Sequence, residues 1–176
     1  VTTASDIANK VEMAFSAIRD TRMRDIPILN CALTVEVVGP RPWRNGWVLV
    51  LVTPWFMNLM MMGQEDVTWG EGDLKPGASV VQTLPGGDFS FLVSEELGLG
   101  IYLSCSLFSP MQVFQSHEEA IEVAAAALDV VMKGDASRQE HEGAVSNAVS
   151  TPEAPANPGR RKLLTRARDV VNWVGS

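Results

Sequence analysis

Two cysteines and two histidines are all that this 176-residue chain offers of the side chains on which most metal and nucleophile sites are built. Cys31 and Cys105 stand outside any Cys-x-x-Cys pair and are too few to staple a secreted scaffold, which points to a reducing cytoplasm. With His117 and His141 as the only imidazoles, the usual zinc, di-iron and haem ligand sets are not assembled from this chain, so no metal or other cofactor is expected. Positive charge is scarce as well. Lys and Arg number 14 against 21 Asp and Glu, a net charge of -7, and this excludes the basic field that a nucleic-acid binder needs to neutralise phosphates. The most apolar uncharged segment, Trp47 to Met62, holds 16 residues interrupted by Pro54 and Asn58. A membrane-spanning helix needs ~20, so no stable membrane insertion is expected. The first 20 residues carry Asp6, Lys10, Glu12, Arg19 and Asp20 within their apolar pattern, unlike the order of an export signal. Gly-x-Ser-x-Gly, His-Glu-x-x-His, Walker and Gly-x-Gly-x-x-Gly motifs are all missing.

What is present reads as an α+β domain. Ile7, Val11, Ala14, Phe15 and Ile18 recur at helical spacing behind a Ser5 cap and predict a helix over 5–22. Leu33, Val35 and Val37 alternate as in a half-buried strand that ends at Gly39-Pro40. Arg44-Asn45-Gly46 supplies an Asn-Gly pair for a tight turn with positive φ at both central positions. The unbroken run Val48 to Val52 then suggests a central strand covered on both faces. Further strands fit 78–84, 88–94 and 101–108, joined by short Gly-rich links that favour antiparallel hairpins. Ser116 caps a second helix whose stripe is Ile121, Ala124, Ala125, Leu128, Val131 and Met132, with Gly134 as its stop. The expectation is one domain over 1–134, with a mainly antiparallel sheet of about five strands and two packed helices. Residues 135–159 shift to Ala, Ser, Glu, Pro and Gly without apolar period, as in a disordered linker. Residues 160–176 form a basic tail whose Leu163, Leu164, Ala167, Val170, Val171 and Val174 fit one face of a short helix. Charge divides accordingly: 16 acids against 8 bases through Gly134, 4 against 1 over 135–159, and 1 against 5 beyond. An alternative function follows from that tail, a peripheral membrane or scaffold protein held by its basic helix.

The candidate nucleophiles are Ser104, Cys105 and Ser106, and strand phase puts Cys105 on the core side as an inert thiol. His117 reads as a cap or decoration of the second helix, serving as a base only if the fold returned it to that strand. Glu65, Asp66, Glu71 and Asp73 lack the order of an EF-hand loop and read as solvated acid. Pro54 to Met62 is the unusual segment, crowding Trp, Phe and four Met side chains just after a central strand. Met adapts its shape to varied apolar partners, so the segment either fills the core or lines a groove for another protein.

Pro27-Ile28-Leu29-Asn30, Val35-Glu36-Val37-Val38-Gly39, Arg41-Pro42-Trp43, Thr53-Pro54-Trp55-Phe56-Met57-Asn58-Leu59 and Cys105-Ser106-Leu107-Phe108-Ser109-Pro110-Met111 occur in this order. Across roughly Ala14 to Met132 the chain thereby resembles the nickel-iron hydrogenase assembly chaperones of the HybE/HupJ type. Cys31, Pro40 and Met60 to Met62 depart from the usual residues of that family. The resemblance implies a non-enzymatic cytoplasmic chaperone. Its partners would be the precursor small or large subunit of an uptake nickel-iron hydrogenase, bound during cofactor insertion and before twin-arginine export. Some members carry a fused rubredoxin domain, whose iron needs two Cys-x-x-Cys pairs that this sequence does not supply. With the apolar run, the resemblance makes Trp55, Phe56, Met57, Leu59 and Met60, with Pro110 and Met111 nearby, the expected apolar docking surface. Asn58 and Ser109 are expected to orient backbone groups there. On that reading a charge placed at Met60 removes partner binding and spares the fold.

Overall fold

The computed structural model describes residues 2–63 and 74–133. The first helix, α1 (Ala4–Thr21), begins at Thr3 rather than Ser5, because Thr3 and Asp6 form a reciprocal capping box that satisfies two of the free amides. The strands are β1 (Glu36–Trp43), β2 (Gly46–Val52), β3 (Met57–Gly63), β4 (Ser79–Leu84), β5 (Gly87–Glu96) and β6 (Gly100–Phe108), and α2 (His117–Lys133) closes the order. They form one six-stranded sheet in the order β1-β2-β3-β6-β5-β4, and every neighbouring pair is antiparallel. The architecture is the expected α+β one, with one strand more than the alternation signals.

That additional strand is β3, which is the Met-rich segment itself. It lies between β2 and β6, pairing Met60 with Leu49 on one side and with Ser104 on the other. Its backbone groups are therefore laddered on both edges, and its side chains divide by parity between two cores. Met60 and Met62 join Trp47, Leu49 and Leu51 beneath Ile7, Val11 and Phe15 of α1. Met57, Leu59 and Met61 join Val48, Val50 and Val52 on the opposite face, against Ala120, Ala124, Leu128 and Val131 of α2. The two helices thus sandwich the sheet. All seven residues of β2 are buried, as the continuous apolar run implied.

Three local readings are revised. The first strand does not stop at Gly39-Pro40 but runs on to Trp43, its register shifting between Val38 and Arg41. Gly39 takes φ +56° at that irregularity, and Pro40 is tolerated because β1 is an edge strand. In the hairpin after it, Trp43 pairs with Gly46, so the two central residues are Arg44 and Asn45, with the positive φ (51°) on Arg44. The Asn-Gly pair is thus one residue out of phase with the turn. In α2, Ser116 accepts from Glu119 N as a cap, but Ala125 is exposed while Ala120, Val123 and Ala127 are buried. One ion pair, Arg41 to Asp129, fastens β1 to α2; Lys133 engages the same carboxyl within the helix, and the two cations hold it below the usual range. The linker expected over 135–159, the basic helix of 160–176, Gly134 and the acidic loop around Glu65 lie outside the described residues.

The β4–β5 turn packs directly on the end of α2, where Gly86 N donates to Val131 O at 2.8 Å. A Cβ on Gly86 would stand 2.7 Å from the carbonyl oxygen of Val130 and 2.9 Å from that of Val131. Gly86→Ala is accordingly expected to cost about 2 kcal/mol or more, because rigid backbone must move. Urea unfolding measures this, and an unchanged midpoint contradicts the contact.

Candidate functional site

Thr53 makes the corner from β2 into β3. Its buried hydroxyl donates to Phe56 O (2.8 Å) and accepts from Phe56 N (2.9 Å) and Trp55 N (3.3 Å), and its amide also donates to Phe56 O at 2.9 Å. This closed turn places Pro54 O where Asn30 N donates to it, at 2.9 Å. The Asn30 amide then reaches in the other direction, donating to Met111 O at 3.0 Å and Phe114 O at 2.8 Å, while its Oδ1 accepts from Ala32 N at 3.0 Å. One residue, through its backbone amide and its side chain, therefore joins the segment at 27–30 to the turn at 53–56 and to the loop after β6, at one end of the sheet. The Gln112 side chain adds a bond to Ile28 O. Leu29 packs toward the α1 core and Leu33 is buried in the α2 core, so this stretch of chain is anchored in both. Aromatic edges fill the space behind: Trp55 against Phe56 (5.6 Å between centroids), Phe56 against Phe15 (5.8 Å) and Phe108 against Phe114 (5.2 Å).

The burial of the expected residues is uneven. Met57, Leu59, Met60 and Met111 have no exposed surface and Trp55 is 8% exposed, so the expectation that they offer an apolar surface is corrected. They are interior because β3 has a strand on each edge and a helix over each face. Phe56 and Asn58 are half-buried, and Ser109 and Pro110, joined by a cis peptide, are exposed. The buried Oδ1 of Asn58 has no hydrogen-bond partner among the described residues. The apolar side chains exposed in these same loops are others: Ile26 at 39%, Ile28 at 49% and Val113 at 42%. Sequence reasoning missed them because isolated apolar residues in a Pro-containing loop carry no period. The available signal was the Pro27-Ile28-Leu29-Asn30 motif, which nothing in the core of a helix or strand explains.

Among the described residues no catalytic constellation assembles around the candidate nucleophiles. Burial pushes the Cys105 thiol up to about 11, which leaves it protonated and unreactive at neutral pH. His117 turns instead toward the start of β1, with Nε2 2.8 Å from Glu36 and Nδ1 accepting from Thr34 N at 3.3 Å. It ties α2 to the strand it crosses. Among the described residues no three His, Cys, Asp or Glu side chains are grouped to hold a metal ion, and no helix is long and apolar enough to cross a membrane.

Comparison with known proteins adds a family to this geometry. The family described as "[NiFe]-hydrogenase assembly, chaperone, HybE" matches residues 6–166. A hydrogenase expression/formation protein HupJ of Bradyrhizobium diazoefficiens is 39% identical over 68% of this chain and 68% of its own. The hydrogenase-2 operon protein HybE of Escherichia coli is 30% identical over 93% of this chain and 91% of its own. A protein of Rhodobacter capsulatus named probable rubredoxin HupJ is 30% identical over 86% of this chain, which spans only 60% of that relative. The solution structure of HybE from Escherichia coli superposes with a TM-score of 0.58 at 24% identity, covering 85% of this chain and 91% of that one, and so shares the fold.

Three outcomes follow from the site. Asn30→Ala removes the donors to two partly buried carbonyls and is expected to cost about 2 kcal/mol in urea unfolding; a loss below about 0.5 kcal/mol contradicts the role given to this amide. Met60→Lys, which buries a charge in the α1 core, is expected to abolish the cooperative unfolding transition seen by circular dichroism, and a retained transition means β3 is not interior. A thiol-specific reagent is expected to modify Cys31 alone in the native protein, because Cys31 is exposed and Cys105 buried. Rapid native labelling of both thiols would contradict the burial of Cys105.

Proposed function

Because the chain belongs to the HybE family of nickel-iron hydrogenase assembly chaperones, a family of chaperones and not of enzymes, we propose that it binds immature subunits of an uptake nickel-iron hydrogenase. Binding takes place in the cytoplasm, during maturation and before twin-arginine export of the assembled subunits. The observation that carries the reading is the loop junction around Asn30, where Ile26, Ile28 and Val113 remain exposed on a scaffold fixed by hydrogen bonds to buried backbone. An apolar cluster held rigid at low entropic cost suits transient capture of an apolar segment of an unfinished partner. Ser109 and Pro110, exposed in the same loop as Val113, add to the available surface. Nothing in this arrangement performs chemistry on the partner. The role is to cover a segment until the partner buries it itself.

The test is co-purification from cells that express the cognate hydrogenase, with mass spectrometry asking which subunit elutes and whether its precursor extensions remain. The wild-type chain is expected to retain a precursor subunit. The double variant Ile28→Asp, Val113→Asp is expected to lose at least about tenfold of it, with stability changed by no more than about 0.5 kcal/mol because both side chains are exposed. Undiminished retention by this double variant would move the contact elsewhere, and no hydrogenase subunit with the wild-type chain would remove the proposal.

A further inference from the structure

Away from the loop junction, on the α1 face, the described residues expose two large apolar side chains more than any others: Leu97 at 93% and Met13 at 74%. They meet across an open groove of about 490 Å³ between α1 and the β5–β6 turn, lined also by Asn9, Lys10, Ala14 and Gly98. Asp6 and Lys10 both line it, and Glu96, next to Leu97, is paired to Arg22. The groove is thus largely apolar, with opposite charges balanced at its margin. A leucine standing almost wholly in solvent beside a methionine is a surface that a second apolar segment would cover favourably.

The chain carries a segment of matching chemistry. Residues 160–174 contain Arg160, Arg161, Lys162, Arg166 and Arg168 against Asp169 alone, interleaved with Leu163, Leu164, Val170, Val171 and Val174 at spacings of one helical face. The family match extends to residue 166, well past the last residue of α2 and into this segment. Between Lys133 and Arg160 lie 26 residues. Such a length has a root-mean-square span of roughly 28 Å, comparable with the length of α1, so the segment can return to either face of the sheet. We infer that residues 160–174 dock in this groove on their own chain, their apolar residues on Met13 and Leu97 and a basic residue toward Asp6. Docking in this way joins two unlike charges, the acidic domain and its basic extension, and does so on a surface separate from the loop junction.

Hydrogen–deuterium exchange of the full chain tests this directly. Amides of 160–174 are expected to exchange at least about tenfold more slowly than an unstructured peptide of the same sequence. Leu97→Asp and Val171→Asp, one change on each side of the contact, are each expected to restore the unstructured rate. The Leu97 side chain is in solvent, so an unchanged melting temperature for Leu97→Asp confirms that the domain itself is intact. Unprotected amides in the wild-type chain overturn the proposal, and so does protection that survives Leu97→Asp. Protection that grows with protein concentration together with a dimer mass also overturns it, in favour of a second copy as the occupant.

Discussion

Two inner strands of this sheet have no free side. β2 and β3 are hydrogen-bonded along both edges and roofed by α1 on one face and α2 on the other. Each large side chain there contributes roughly 1.5–3 kcal/mol by its burial, and exposing one would require lifting a helix. The constraint decides where the molecule can meet another protein. A strand sealed in this way stabilises the fold and is unavailable as a docking surface, however rich in methionine it is. The surfaces left over are the loops at the ends of the strands, the outer faces of the helices and the open half of the sheet.

At one end those loops are not loose. Asn30 spends its amide on two carbonyls of the segment after β6 and its backbone amide on the turn between β2 and β3. Segments more than eighty residues apart are fixed by a single neutral side chain, which has the donors and acceptor to satisfy all of them and no charge to desolvate. Rigidity behind and exposed isoleucine and valine in front are compatible because the anchoring side chains, Leu29, Leu33 and Phe114, point inward. A chaperone that holds an apolar segment without processing it needs little more than this. The buried thiol, the His117–Glu36 contact and the Asp129 ion pairs all belong to the scaffold.

Much of the architecture was legible in the sequence. The spacing of Ile7, Val11 and Phe15 defined α1, and the unbroken β2 run announced a strand covered twice. The Gly-rich links at Gly86 and Gly98 gave the antiparallel hairpins. β3 was not legible, for a physical reason: a strand buried on both faces has no alternation, and Met-Asn-Leu-Met-Met-Met has neither β-branched residues nor a bounding turn to identify it. The reading of the Met-rich run as a surface failed for the same reason, since apolar composition alone does not distinguish a core from a groove. The loop motifs were visible as motifs, but their meeting at Asn30 depends on topology, because only the strand order brings residues 30, 54 and 111 to one place. Family resemblance supplied the functional class; the burial of β3 is the reason the proposed docking surface lies in the loops beside it.

The measurement that bears most directly on this account is residue-resolved NMR of the full chain titrated with a precursor hydrogenase subunit. The account predicts that shift changes and line broadening concentrate in residues 26–31 and 109–114, while the amides of Leu59, Met60 and Met61 keep their positions. Perturbation centred on β3, or spread over the outer face of α2 with the Asn30 loops unaffected, would contradict it.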